Sequence, residues 1–151
     1  MGNRVAALED AVRGRSRGRL ELLAFALSPD GHWAATLLRQ RETGYWLESL
    51  YEYGAEGWVE HTTSNGGLAY TSIGEDDEGT PIGVLRYYGE APSDSQIARI
   101  RWRDEIHQIP VQRSHFAFAV WDATDDEVDR IAAGDPGGAD DHGPKVVGFG
   151  Y

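Results

Sequence analysis

The sequence predicts an all-β fold: an antiparallel β-sandwich of immunoglobulin-like type, with a short helix in front. Three observations predict it. From Leu20 onward, apolar residues recur with a period of two. Turn signals such as Asp30-Gly31 separate these stretches. About nine short strands then follow one another at regular spacing, the pattern of a sandwich rather than of a parallel sheet.

Asn3 to Arg13 reads as the helix. Asn3 serves as N-cap, and Val5, Leu8 and Val12 share one face. Gly14 and Gly18 are expected to end it. Leu20–Ser28 is a strand, Ser28 to Gly31 a turn, and His32–Gln40 the return strand. Arg41–Gly44 turns into Tyr45–Tyr53, and Ala55-Glu56-Gly57 into Trp58–Thr63. A Gly-rich acidic loop is expected from Ser64 to Thr80. Pro81–Tyr88 is a strand, and Ser95–Arg103 and Ile106–Val111 form a hairpin around Asp104-Glu105. That register sets His107 opposite Trp102. His115–Trp121 is a strand, Asp122–Pro144 an acidic excursion with a helical turn at Asp126–Ala133, and Lys145–Phe149 the last strand. Phe25, Trp33, Trp102, Phe116, Phe118 and Trp121 are the expected large core residues.

The chain is 151 residues long, enough for one domain with its own core. It divides into a helix and basic arm, residues 1–19, and a sandwich domain, residues 20–151. There is no cysteine, hence no disulfide, thiolate zinc site or thiol nucleophile. No apolar run reaches the roughly 20 residues that span a bilayer. With no recognisable signal peptide, a cytoplasmic protein is expected. Formal net charge is −11, unevenly laid out: residues 1–19 carry +3 and the rest −14. Lys145 is the one lysine beside thirteen arginines, the mark of a high-GC coding bias.

Several blocks carry a resemblance. They are Gly57-Trp58-Val59-Glu60, Ser64-Asn65-Gly66, Gly83-Val84-Leu85, Gly89-Glu90-Ala91-Pro92, Ile109-Pro110-Val111 and Phe116 to Asp122. Over most of Trp33–Trp121 the sequence resembles a group of uncharacterised actinobacterial all-β sandwich proteins. The resemblance implies a compact all-β domain and brings no activity with it. The arm and the tail after Asp122 lie outside it.

Candidate chemistry is sparse. His107 shares a strand face with Ile109 and Val111, which suits a hydrogen-bonded, partly buried histidine. His115 follows Ser114, and neighbours on a strand point to opposite faces, so they make no Ser–His pair. No His-Glu-x-x-His, Gly-x-Ser-x-Gly or phosphate loop occurs. No cofactor is expected.

The charges say more. Counting strand reversals puts Arg41–Gly44, Ser64–Thr80, Asp104-Glu105 and Asp122–Pro144 at one end, with fifteen of the 25 acids. Asp76, Asp77, Asp122, Asp125 and Asp126 are the candidate metal ligands there, since a hard cation such as calcium wants six to eight oxygens. Solubility explains the same acids. Arg99, Arg101 and Arg103 alternate with Ala98, Ile100 and Trp102, so three guanidiniums should line one strand face, with Arg86 beside them. Such a face binds an anion or forms ion pairs with Glu48 and Glu52. The arm holds Arg13, Arg15, Arg17 and Arg19. The charge of the body opposes nucleic acid, so docking on the chain's own acids or simple solvation ranks first, a protein partner second and nucleic acid third. Ala117, Ala119 and Trp121 form a second apolar face behind Phe116, Phe118 and Val120, to be covered by the helix, a second copy or a partner.

The function expected is a non-enzymatic interaction module, self-associating or bound to a protein partner, with no nucleic acid and no membrane. Its overall acidity suits a basic partner. The alternatives are a calcium- or small-ligand-binding sandwich and a hydrolase with scattered carboxylates.

Overall fold

The computed structural model describes residues 2–64, 68–133 and 143–151. Helix α1 spans Gly2–Ser16, past the expected end at Arg13. A glycine inside a helix costs about 1 kcal/mol, too little to stop one whose Leu8 and Val12 are buried. The stop is a Schellman closure. Gly18 N–H donates to the Arg13 carbonyl at 3.0 Å and Arg17 N–H to that of Gly14 at 3.4 Å. Arg17 takes a left-handed backbone, φ 55°, which costs a non-glycine residue roughly 1–2 kcal/mol.

The first sheet is a meander of β1 (Leu20–Leu27), β2 (Trp33–Gln40), β3 (Trp46–Gly54) and β4 (Gly57–Ser64). The Asp30 carboxylate locks its first turn by accepting from the Ser28 hydroxyl at 2.6 Å and the His32 N–H at 3.0 Å. The second sheet has the order β5-β6-β9, with β5 at Leu68–Glu75, β6 at Pro81–Glu90 and β9 at His115–Thr124. The third has the order β10-β7-β8, with β7 at Ile97–Trp102, β8 at Glu105–Pro110 and β10 at Lys145–Gly150. All pairings are antiparallel. The all-β sandwich stands, with a third sheet added. Helix α2 (Asp125–Ala133) follows β9 and opens on a capping box: Glu127 N–H donates to Thr124 Oγ1, and Thr124 N–H to the Glu127 carboxylate.

Three buried layers hold these pieces. α1 lays Leu8 and Val12 on one face of the first sheet, against Leu22, Leu38, Tyr51 and Trp58. The opposite face, with Leu23, Ala35 and Leu37, meets Tyr88 and Ala117 of the second sheet. The far side of the second sheet sets Phe116, Phe118 and Val120 on Ile100, Trp102 and Ala98 of the third. A bulge at Leu23 lets β1 serve both of its neighbours. Leu22 faces the helix layer, and the extra residue shifts the alternation so that Leu23 and Ala24 face the other way.

Four expectations need correction. The loop Ser64–Thr80 contains β5, whose flanking glycines hid its alternation. The β7–β8 turn is Arg103-Asp104, both left-handed (φ 54° and 60°), so Trp102 pairs with Glu105 and His107 with Ile100. A two-residue hairpin turn of this type needs positive φ at both positions. Phe25, Trp33 and Trp121 are half-buried, while Trp102, Phe116 and Phe118 are buried as expected. Finally, the second apolar face of β9 is covered by β1 and β2, and α1 lies on the far side of that sheet.

Candidate functional site

β7 places Arg99 and Arg101 on the outer face of the third sheet, because Ala98, Ile100 and Trp102 take the inner one. Their register partners are Gln108 and Gly148 for Arg99, and Ile106 and Lys145 for Arg101. No carboxylate stands opposite either arginine. Among the described residues, neither side chain makes a hydrogen bond or an ion pair. Ile106 is 50% exposed, and Val147, the extra residue of a bulge in β10, is 40% exposed. The Arg99 guanidinium lies over Gly150, where a β-carbon would stand 3.1 Å from it.

Arg103 does not join this face. The turn sends it to the end of β9, where it grips Glu127 with two hydrogen bonds of 2.6 Å and reaches Asp122 at 3.2 Å. Hydrogen bonding to Arg103 holds Glu127 below the usual carboxylate range, and the same contact raises Arg103. The ion-pair partners expected for the ladder are elsewhere. Glu52 sits 2.8 Å from His32, and Glu48 is buried between the first two sheets.

Arg86 is the residue that sequence reasoning misplaced most. It lies on β6, away from the third sheet, 2% exposed, and donates to Thr71 Oγ1 at 2.8 Å. Burial lowers its pKa, opposed by attraction to Tyr88 and Glu48. Burial also raises Tyr88 strongly. A signal was present: Arg86 falls on the face of Val84 and Tyr88 in a strand with apolar residues on both faces.

The arm's arginines divide. Arg13 pairs with Asp10 at 3.4 Å. Arg17 and Arg19 are exposed beside the β2–β3 turn, where Arg41 N–H donates to the Arg19 carbonyl at 2.9 Å. The Arg15 side chain lies outside the described residues. Arg113 was overlooked. A tight turn with Arg113 and Ser114 both left-handed projects it onto the Leu22 carbonyl and toward Glu21. Glu21 is lowered chiefly by its hydrogen bond from Arg39.

The acidic end is real in part. The β5–β6 turn abuts the end of β9, since Ile82 pairs with Thr124, and Arg103 brings Asp104-Glu105 to Asp122. Glu42 is at the other end, because Trp46 packs on His115 where β9 begins; overlooking β5 had altered the reversal count. Asp76 accepts from Glu78 and Thr80 N–H and closes its own turn. Asp125 accepts from Tyr70 O–H at 3.0 Å. Asp77 and Asp126 are exposed. Among the described residues no three carboxylates or histidines gather as a metal site; Asp135, Asp140, Asp141 and His142 lie outside those residues. Trp121 belongs to the layer between the first two sheets. No described helix is long and apolar enough to cross a membrane.

No family model, curated protein or solved structure matches this chain. The reading of function therefore rests on the surfaces just described.

Proposed function

We propose that the protein is a cytoplasmic, non-enzymatic interaction module that docks an acidic segment of a partner protein on the outer face of the β10-β7-β8 sheet. The observation that carries this reading is the pair Arg99 and Arg101, unpaired among the described residues. They share this face with exposed Ile106 and with Lys145, and among the described residues no acid lies in register with them.

Size favours a segment over a globular surface. Three strands of six residues span about 14 by 20 Å, or roughly 280 Å². A stable dimer buries about 800 Å² per partner. An extended strand repeats its side chains every two residues, about 6.7 Å, the spacing of Arg99 and Arg101 along β7. Glutamates at alternate positions of a peptide would meet both guanidiniums. The overall charge of −11 favours a basic partner at long range, but beyond about 8 Å that field is screened at physiological salt. Contact chemistry on the face then decides.

The test is a titration of the protein with a synthetic peptide carrying glutamates at alternating positions, followed by amide chemical shifts. Shifts confined to β7, β8 and β10, and lost in Arg99→Glu/Arg101→Glu, support the reading. Equal binding by the charge-reversed variant, or by a lysine version of the peptide, overturns it.

A further inference from the structure

The arginine-rich start of the chain walls a cavity. Arg17 and Arg19, with Ser16, Gln40, Thr43 and Leu47, line a cleft of about 470 Å³ between the end of α1 and the β2–β3 turn. That volume is in the range of small-molecule sites. Leu20 and Leu47 supply apolar wall, and Glu42 is the one acid in the lining. A smaller cleft of about 170 Å³ shares Leu20 and sets Arg13, Arg41 and Arg113 beside Glu9 and Glu21.

The backbone is arranged at a cost to place Arg17 here. The left-handed position that closes α1 favours glycine, yet Arg17 occupies it and Gly18 comes next. The reverse order would cap the helix without strain. The helix end does not oppose an anion as strongly as a bare one would. The carbonyls of Arg13 and Gly14 accept from Gly18 and Arg17, and that of Val12 from the Ser16 hydroxyl at 2.8 Å. Thr43 donates to the Gln40 amide oxygen at 2.8 Å, which leaves the Gln40 NH₂ as a donor. The acidic end is far off. His115, where β9 begins, and Asp122, near its other end, are about 23 Å apart along the strand. That exceeds the Debye length of about 8 Å at physiological salt.

We propose that this cleft binds a small oxyanion ligand, a carboxylate or phosphate on a short apolar body. Arg17 and Arg19 hold the anion, Gln40 adds a donor, and Leu20 and Leu47 hold the apolar part. Glu42 weakens the site and excludes ligands of higher negative charge. This reading uses none of the residues of the sheet face proposed above, and either can fail alone.

Titration of the isotope-labelled chain with inorganic pyrophosphate, and separately with succinate, tests it and tells phosphate from carboxylate. Saturating amide shifts at Arg17, Gly18, Arg19 and Thr43 are expected with at least one of the two. Arg17→Gly should raise Tm, because it relieves the left-handed strain, yet weaken binding by roughly fivefold or more, about 1 kcal/mol. A residue placed only for the fold would not separate those two readouts. Glu42→Gln should tighten binding by roughly threefold at low salt. Absence of saturating shifts with both anions overturns the proposal. So does Arg17→Gly binding as well as wild type, or shifts as large at Arg99 and Arg101 as at the cleft.

Discussion

The second sheet has two faces, and they are filled by opposite means. Toward the third sheet it presents Phe116, Phe118 and Val120, which meet Trp102 and Ile100 in an aromatic and aliphatic layer. Toward the first sheet it presents Ala117 and Ala119, and beside them on β6 the large polar groups Tyr88 and Arg86. The register explains the alanines. Tyr88 pairs with Ala117 and Arg86 with Ala119, so each small residue leaves room for a long one. Glu48 reaches into the same layer from β3. One layer is held by apolar volume. The other spends desolvation on a buried guanidinium and recovers it only where its partners are in place. The apolar layer should therefore tolerate volume-conserving exchange, and the ionic layer should tolerate only paired change.

The largest expected effect separates these two cases. Arg86→Ala should cost about 3–5 kcal/mol, because it leaves Thr71 Oγ1 without its donor and buried Glu48 without the attraction of the guanidinium. Arg86→Met combined with Glu48→Met should recover most of that loss, read as the denaturation midpoint. If the double variant is as unstable as the single one, the layer is not ionic in the sense argued. Phe116→Ala should cost a similar 3–5 kcal/mol, and no charge change elsewhere should restore it.

A smaller effect sharpens the apolar side. Phe116 lies over Gly89 so closely that a β-carbon there would stand 2.7 Å from the ring. Gly89→Ala should cost about 1–3 kcal/mol through overpacking. Phe116→Leu in the same chain should reduce the penalty, a coupling that a double-mutant cycle measures.

Next comes the tie at the rim of the apolar layer. Glu127 is lowered below its ordinary value near 4.5, first by the hydrogen bond from Arg103. A lowered carboxylate stabilises the fold above its unfolded pKa, and the gain is lost as pH falls through the folded value. Arg103→Met should cost about 1 kcal/mol at neutral pH, since the pair is partly exposed, and nothing once Glu127 is protonated in both proteins. Parallel stability curves from pH 7 to pH 2 would contradict this. The smallest effect belongs to the outer face: Arg99→Glu/Arg101→Glu should change stability by less than about 0.5 kcal/mol. A larger loss would mean that the face is structural.

Local pattern determined much of this protein on its own. Period-two alternation and Asp-Gly or Gly-rich turns marked nearly every strand, because an antiparallel hairpin is closed by the residues of its own turn. The helical turn expected at Asp126–Ala133 is α2, which starts one residue earlier behind the capping box of Thr124 and Glu127. The segment Leu68–Glu75 escaped because glycines on both sides resembled a loop, and that omission carried Glu42 to the wrong end. The pairing of faces was not local. That Ala117 and Ala119 meet β1 and β2 rather than α1, that Arg86 is buried with Tyr88 and Glu48, and that Arg103 leaves the ladder for Glu127 were decided by tertiary packing. A sequence shows which side of a strand is apolar. What lies against that side depends on how sheets distant in sequence stack, and that is set by the best joint burial of every face at once.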